Sequence, residues 1–330
     1  MTTARFDVTA IGNAIVDVIA RCEEAFLTRE GLNKGSMQLV SQDQSAALYT
    51  RMGQALETSG GSAGNTVAGV ASLGGRAAFI GKVADDQLGE IFAHDITAIG
   101  VHFDVPPLVG GPSSGRSLIN VTPDGQRTMC TFLGAANELT ADDIDPALIE
   151  DAAVVYLEGY LFDLAEARRA FAKAAGLARA HGRTIALTLS DGFMVDRHRE
   201  ALRQFVSTQV DLLFANEAEL LSLFETEDFA SALDAVGRQV KLAAVTRGPG
   251  GSVIVEGDHR ITVEAARLEK VVDTTGAGDQ YAAGFLFGLA QGRPLEACAR
   301  LGSLAAAEVI SHVGPRPQVS LKDLVIEQGL

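Results

Sequence analysis

The sequence predicts an α/β fold, with one mostly parallel sheet and helices on both of its faces. Three observations predict it. Short apolar runs alternate with helical patterns along most of the chain, the mark of repeated βαβ units. The 35 glycines are scattered among those runs, as tight turns between strands and helices require. Hydrophobic residues make up 47% of the 330 positions, enough for a substantial core. That length admits one large α/β domain or two smaller ones.

Taken in order, the strand candidates are 6–11, 77–81, 154–157, 184–189, 212–215, 242–246 and 251–256. Helical stretches lie between several of them, including 164–181, rich in Ala and Arg, and 217–224. In such a sheet, ligands bind beyond the C-terminal ends of the strands. The stretch 114–132 breaks the rhythm. There 117–122 and 127–132 flank Pro123-Asp124-Gly125-Gln126, a strong turn signal, so the stretch reads as a β-hairpin. Near the C-terminus a strand-like segment, 268–272, leads into a glycine turn and then the apolar helix pattern 281–289. There is no internal repeat, low-complexity tract or Pro-rich linker.

Composition narrows the function classes. A net charge of -15 argues against a nucleic-acid partner, which needs a basic footprint. No run of about 18 apolar residues occurs, so no membrane span is expected. Residues 1–7 lack the basic and apolar regions of a secretory signal. Cys22, Cys130 and Cys298 are few and unpatterned, which fits reduced thiols in a cytoplasm.

Chemistry concentrates in Asp273-Thr274-Thr275-Gly276-Ala277-Gly278-Asp279. The turn exposes backbone N–H groups of Gly276, Ala277 and Gly278 at a helix N-terminus, where the helix dipole adds positive potential. That suits an anion, above all a transferring phosphate. A carboxylate at Asp279 is repelled by such an anion. Its natural task is to take the proton from a hydroxyl attacking phosphorus. The plainer reading is a helix cap beside an ordinary turn. Asp17, within the apolar stretch 14–20, is either a satisfied structural acid or a ligand-binding one. Asn216 and Glu219 share a helix face and also spell a capping box. The loop Thr246-Arg247-Gly248-Pro249-Gly250-Gly251 precedes a strand and reads equally as a hairpin turn. Asp191 sits at a strand end, where it belongs to a phosphate region or caps the next turn. No Gly-x-x-x-x-Gly-Lys-Ser/Thr string is present, so this is not a P-loop chain.

The string 273–279 resembles the C-terminal signature of the PfkB, or ribokinase, family of carbohydrate and nucleoside kinases. Gly60-Gly61-Ser62-Ala63-Gly64-Asn65-Thr66-Val67-Ala68, continuing through Gly74-Gly75 to Gly81-Lys82-Val83-Ala84-Asp85-Asp86, is similar to its N-terminal signature. The resemblance covers nearly the whole chain. It implies a ribokinase-like three-layer α/β/α core over 1–330 as a single domain, with a small β-sheet lid from segments of approximately 18–40 and 105–133. A lid suits phosphoryl transfer, which competes with water.

The resemblance also implies roles. Asp279 becomes the general base, and Gly276, Ala277 and Gly278 form the anion hole. Arg127 in the lid reaches the transferred phosphate with its forked donors. Asn13, Asp17, Gly61, Ser62 and Asn65 contact the acceptor. Asn216, Thr246, Gly248, Gly251 and Thr275 border ATP, and Asn216 and Glu219 organise Mg²⁺ through water. In many relatives a monovalent cation such as K⁺ sits behind the anion hole, at the positions of Asp273 and Thr275. Gly12-Asn13-Ala14-Ile15-Val16-Asp17 and the run from Arg127 to Asn137 resemble adenosine-phosphorylating members, which makes a nucleoside the expected acceptor. Met37 and Leu133 then line a purine slot or pack as lid core. A sugar kinase of ribokinase or fructokinase type and a non-catalytic binding protein on the same fold are the alternatives. A monomer and a lid-paired homodimer both remain open.

Overall fold

The structure is a computed structural model that describes residues 4–330. Positions 1–3 of the stretch read above for a secretory signal lie outside the described residues. In chain order the strands are β1 (Phe6–Ile11), β2 (Ile15–Arg21), β3 (Met37–Leu39), β4 (Ala55–Gly60), β5 (Ala77–Ile80), β6 (Gly115–Val121) and β7 (Arg127–Phe132). They continue with β8 (Ala152–Glu158), β9 (Thr184–Thr188), β10 (Leu212–Asn216), β11 (Leu242–Thr246), β12 (Ser252–Glu256) and β13 (His259–Val263).

Eight strands form the large sheet in the order β13-β12-β11-β10-β9-β8-β1-β5. Pairing is parallel from β5 through β11, and β12 and β13 add an antiparallel edge. The pleat sorts each strand's side chains to two faces. From β8, Val155 and Leu157 pack with Ala170, Phe171 and Ala174 of the helix Ala165–Ala180. Val154 and Tyr156 point the other way, towards Tyr281, Phe285 and Leu286 of the helix Ala277–Ala290. Both faces are therefore dry, which is why the strands read as continuous apolar runs. Phe285 meets Phe214 of β10 edge-on at 5.5 Å, and burying one such ring stabilises the fold by about 1.5–3 kcal/mol.

The smaller sheet has the order β3-β7-β6-β2-β4. The hairpin β6–β7 forms as read, with Val121 opposite Arg127. Its turn is closed by Thr122 N–H donating to Gln126 O at 3.0 Å and Thr122 Oγ1–H donating to Asp124 Oδ1 at 2.7 Å.

Two readings of the sequence need correction. The segment 268–272 is not a strand. Among the described residues no strand pairs with it, and Val271 and Val272 are 56% and 38% exposed. The smaller sheet begins at Ile15, earlier than residue 18, and it includes β4, which the sequence reading omitted. Ala55-Leu56-Glu57-Thr58-Ser59-Gly60 has a polar face and little apolar content, so its strand signal is weak.

Candidate active site

The helix Ala277–Ala290 starts from Gly276, at φ 79°. A Cβ there would lie 2.6 Å from Pro315 Cα, so only glycine makes this approach. Ala277 N–H turns back to Thr274 O at 3.2 Å. The amides of Gly278 and Asp279 stand in the first turn, where N–H groups have no intrahelical acceptor. Of the three expected anion-hole amides, that of Ala277 is thus already engaged. Asp279 lines the same cavity. Its Oδ1 accepts from Ser62 Oγ–H at 2.7 Å and its Oδ2 from Asn65 Nδ2–H at 3.1 Å. Burial raises the Asp279 carboxyl to about 6, and those two donors oppose the rise. At neutral pH the group is largely ionised, as a base must be.

The cavity, of about 1060 Å³, opens at the C-terminal strand ends, as the topology requires. Asn13, Asp17, Gly61, Ser62 and Asn65 all line it. Asn13 follows β1, and its Nδ2–H donates to Glu158 Oε1 at 2.6 Å. Its Oδ1 is buried without a donor. Asp17, on β2, is 7% exposed. Burial raises it to about 6, against the opposing charges of Arg316 and Arg127 and with that of Asp279 adding to the rise. Both residues line the cavity, and an acid and an amide there suit a ligand that presents hydroxyl groups. Gly61, at φ 83°, precedes the helix Ser62–Ser72, and a Cβ on it would lie 2.1 Å from Asn13 O.

Opposite lies a second group. Asn216 ends β10 and caps the helix Glu217–Phe224 through a full capping box, with Oδ1 accepting from Glu219 N–H at 2.8 Å. Asn216, Glu219 and Asp191 line the cavity. Asp191 also caps the helix Gly192–Gln209. Burial raises the Glu219 carboxyl to about 7, with the Asp191 charge adding to it. Two acids on one wall suit a hydrated divalent cation held through water. Among the described residues no cluster of three or more His, Cys, Asp or Glu forms an all-protein metal cage. Thr246 and Thr275 also line the cavity, whereas Gly248 and Gly251 sit in the β11–β12 turn outside its lining.

Arg127 and Asp273 form a pair, with Nη2 2.8 Å from Oδ2 and side chains only 5% and 7% exposed. The charges are close, but the arginine N–H groups are not aimed into hydrogen bonds. Asp273 is otherwise occupied: Oδ1 accepts from Thr275 N–H and Oγ1–H, and Oδ2 from Gly314 N–H.

Three further residues escaped the sequence reading. Glu158 ends β8 and accepts from Asn13 Nδ2–H, Asn13 N–H and Ala63 N–H. An acid closing an apolar strand was a usable signal. Ser190 has φ 68° and a buried hydroxyl without a partner, and left-handed backbone at a non-glycine marks a strained, over-determined position. Arg316 lies in an irregular segment with no local pattern to announce it.

The pfkB family carbohydrate kinase profile matches residues 7–321. The crystal structure of adenosine kinase from Sinorhizobium meliloti is similar to this chain at 56% identity and TM-score 0.91, covering 98% of this chain and 100% of that one. A probable sugar kinase protein from Rhizobium etli is 50% identical with TM-score 0.92, covering 99% of both chains. Adenosine kinase of Saccharomyces cerevisiae is 29% identical over 329 residues, 92% of this chain and 95% of its own length. Among the described residues no helix is long and apolar enough to cross a membrane. The two sheets, the glycine turn with Asp279 and the match across nearly the whole chain agree: this chain belongs to the pfkB family of carbohydrate kinases.

Proposed function

We propose that this chain transfers the γ-phosphoryl group of ATP to a primary hydroxyl of a nucleoside, adenosine foremost. The observation that carries the nucleoside over a free sugar is the cavity wall on the smaller sheet. Met37 and Leu39 of β3 are 47% and 59% exposed and line the cavity with Ile15, Met129 and Leu133. They are not core residues, and a flat apolar base gives them a partner. The names of two of the relatives above support the same acceptor.

In this reading Asp17 accepts hydrogen bonds from the ribose diol, with Asn13 also in the cavity wall. Asp279 takes the proton of the attacking hydroxyl as its oxygen bonds to the γ-phosphorus and the bond to the ADP oxygen breaks. The first-turn amides near Gly276 and Gly278 face the charge that develops. Glu219, Asn216 and Asp191 are the residues that would hold Mg²⁺ through water, where it neutralises phosphate charge. Arg127 supplies a second, fixed cation once phosphate competes with Asp273 for it. Asp273 already serves Thr275, Gly314 and Arg127, and no step of this reading uses K⁺. We also propose that the smaller sheet is the lid of a single domain, bringing its apolar wall down on the base.

The test is ADP release with Mg²⁺ and ATP against adenosine, inosine, guanosine, cytidine, ribose and fructose. Adenosine turnover at micromolar concentration, with little from free sugars, is expected. Turnover with sugars alone would transfer the reading to a sugar kinase. Asp279→Asn should lower kcat by about 10²–10⁴-fold, and full activity in that variant would remove Asp279 as the base.

A further inference from the structure

We propose that Arg316 is a positioning residue that fixes the side-chain amide of Asn65, so that its Nδ2–H₂ and not its Oδ1 faces Asp279. The proposal rests on the reading of Asp279 as the base. Arg316 lies between the helices Leu295–Ile310 and Leu321–Glu327, far in sequence from its hydrogen-bond partners Ser59, Asn65 and Asp95. Its Nε–H donates to Asn65 Oδ1 at 3.3 Å, and its Nη1–H donates to Ser59 Oγ at 2.7 Å and Asp95 Oδ2 at 3.2 Å. Asp95 also accepts from Ser59 N–H at 2.8 Å and Thr58 Oγ1–H at 3.1 Å. The guanidinium is thus held on one side by β4 and the helix Gln87–Ala98, and it presents a donor to Asn65 on the other.

The consequence follows from donor and acceptor chemistry. With Oδ1 on Arg316, the Asn65 amide must donate to Asp279 Oδ2, as it does at 3.1 Å. A flipped amide would set N–H against N–H at Arg316 and oxygen against carboxylate oxygen at Asp279, losing two hydrogen bonds at once. Arg316 thereby selects the rotamer that keeps Asp279 donated-to and aimed. The same segment supports the anion hole, because Pro315 O accepts from Gln280 Nε2–H at 3.0 Å and Pro315 is the surface against which Gly276 packs. The C-terminal segment therefore sets the base and the glycine turn together. Arg316 does not itself line the cavity.

The experiment is a double-mutant cycle read as kcat and acceptor KM. Arg316→Lys keeps a positive charge near Asp17 and Asp95 but removes the Nε–H donor. Its kcat should fall about tenfold, with acceptor KM held within about twofold. In an Asn65→Ala background Arg316→Lys should add nothing further. Multiplying losses in the double variant, or an unchanged kcat in Arg316→Lys, overturn the proposal. Asn65→Asp keeps the shape of the side chain but turns an acceptor on Asp279, so its kcat should lie below that of Asn65→Ala. Equal values there also overturn it, whether or not Arg316→Lys folds. Asp279→Asn measured alongside separates the two claims. Full turnover in that variant removes the base assignment and this inference with it, whereas an inactive Asp279→Asn with multiplying losses overturns the inference alone.

Discussion

Arg127 Nη2 stands 2.8 Å from Asp273 Oδ2 with both side chains nearly buried, and this pair ties the smaller sheet to the glycine turn that precedes Asp279. Arg127 opens β7, while Asp273 begins the glycine turn. Arg127 does not line the cavity and its buried N–H groups lack aligned acceptors, so in the proposed mechanism it exchanges Asp273 for phosphate. Arg127→Met should therefore lower kcat by about 10²–10³-fold, the size seen when one donor to a developing charge is lost. A kcat within twofold of wild type would show that Arg127 is only structural.

Asp273→Ala is the complementary change. It strips the acceptor from Thr275 and Gly314 and leaves the Arg127 charge buried without its counterpart. Breaking a buried pair from one side costs about 3–5 kcal/mol. The urea midpoint should fall accordingly, and an unchanged midpoint would mean that the pair is solvated in solution.

The rate should carry an acid limb near pH 6. Burial raises Asp279 and Asp17 each to about 6 from an ordinary 3.8, so both carboxyls contribute to the limb. A general base works ionised, so kcat/KM should fall by about tenfold per pH unit once below the limb. Ser62→Ala removes a donor that holds the Asp279 value down, so its limb should move to higher pH. A limb near pH 4, or one that Ser62→Ala shifts to lower pH, contradicts the assignment.

Glu158 links pH to stability. Burial raises its carboxyl to about 7 from 4.5, despite the donors Asn13 and Ala63. A folded value above the unfolded one means that the stabilising contribution is complete below pH 4.5 and is lost as pH rises through 7. Replacing the acid by a neutral isostere removes that loss. Glu158→Gln should therefore flatten the stability profile between about pH 4.5 and 7 by a few kcal/mol. It should also raise acceptor KM, because Asn13 loses its charged anchor. Chemical unfolding at pH 5 and pH 8 tests the first part, and identical pH slopes in both proteins would refute it.

How much of this was legible beforehand depends on the range of the interaction. The parallel sheet, the hairpin at 117–132 and the helix at Glu217–Phe224 could be read because their signals are local and apolar. Asn13, Asp17, Gly61, Ser62, Asn65, Asn216, Glu219, Thr246 and Thr275 to Asp279 come from contiguous motifs and line one cavity, whereas Arg127, Gly248, Gly251 and Asp273 lie outside its lining. What escaped was set by distant partners. Glu158 acquires its role from Asn13 and Ala63, and Arg316 from Ser59, Asn65 and Asp95. The segment 268–272 shows the converse, since its apolar content suggested a strand but no neighbouring strand was there to pair with it. The partner of Arg127 was likewise out of local reach: a charge on a strand usually faces water, yet this one is buried beside Asp273.

The acceptor slot gives the sharpest separation between substrates. Met37 and Leu39 expose apolar surface to the cavity, from an edge strand whose partner, β7, pairs Met37 with Met129. Contact with a purine removes that surface from water, at about 25 cal/mol per Å². A charged side chain at either position must instead lose its hydration when the base enters. Leu39→Asp should raise adenosine KM by about 10–100-fold, corresponding to about 1.4–2.7 kcal/mol, and change kcat little, because β3 carries none of the residues proposed for the chemical step. The fold should be unaffected, since Leu39 is 59% exposed. The same substitution should leave any residual turnover of free ribose unchanged, because the proposed slot on β3 meets the base and not the sugar. Equal losses for adenosine and ribose would show that β3 governs closure of the site and not recognition of the base.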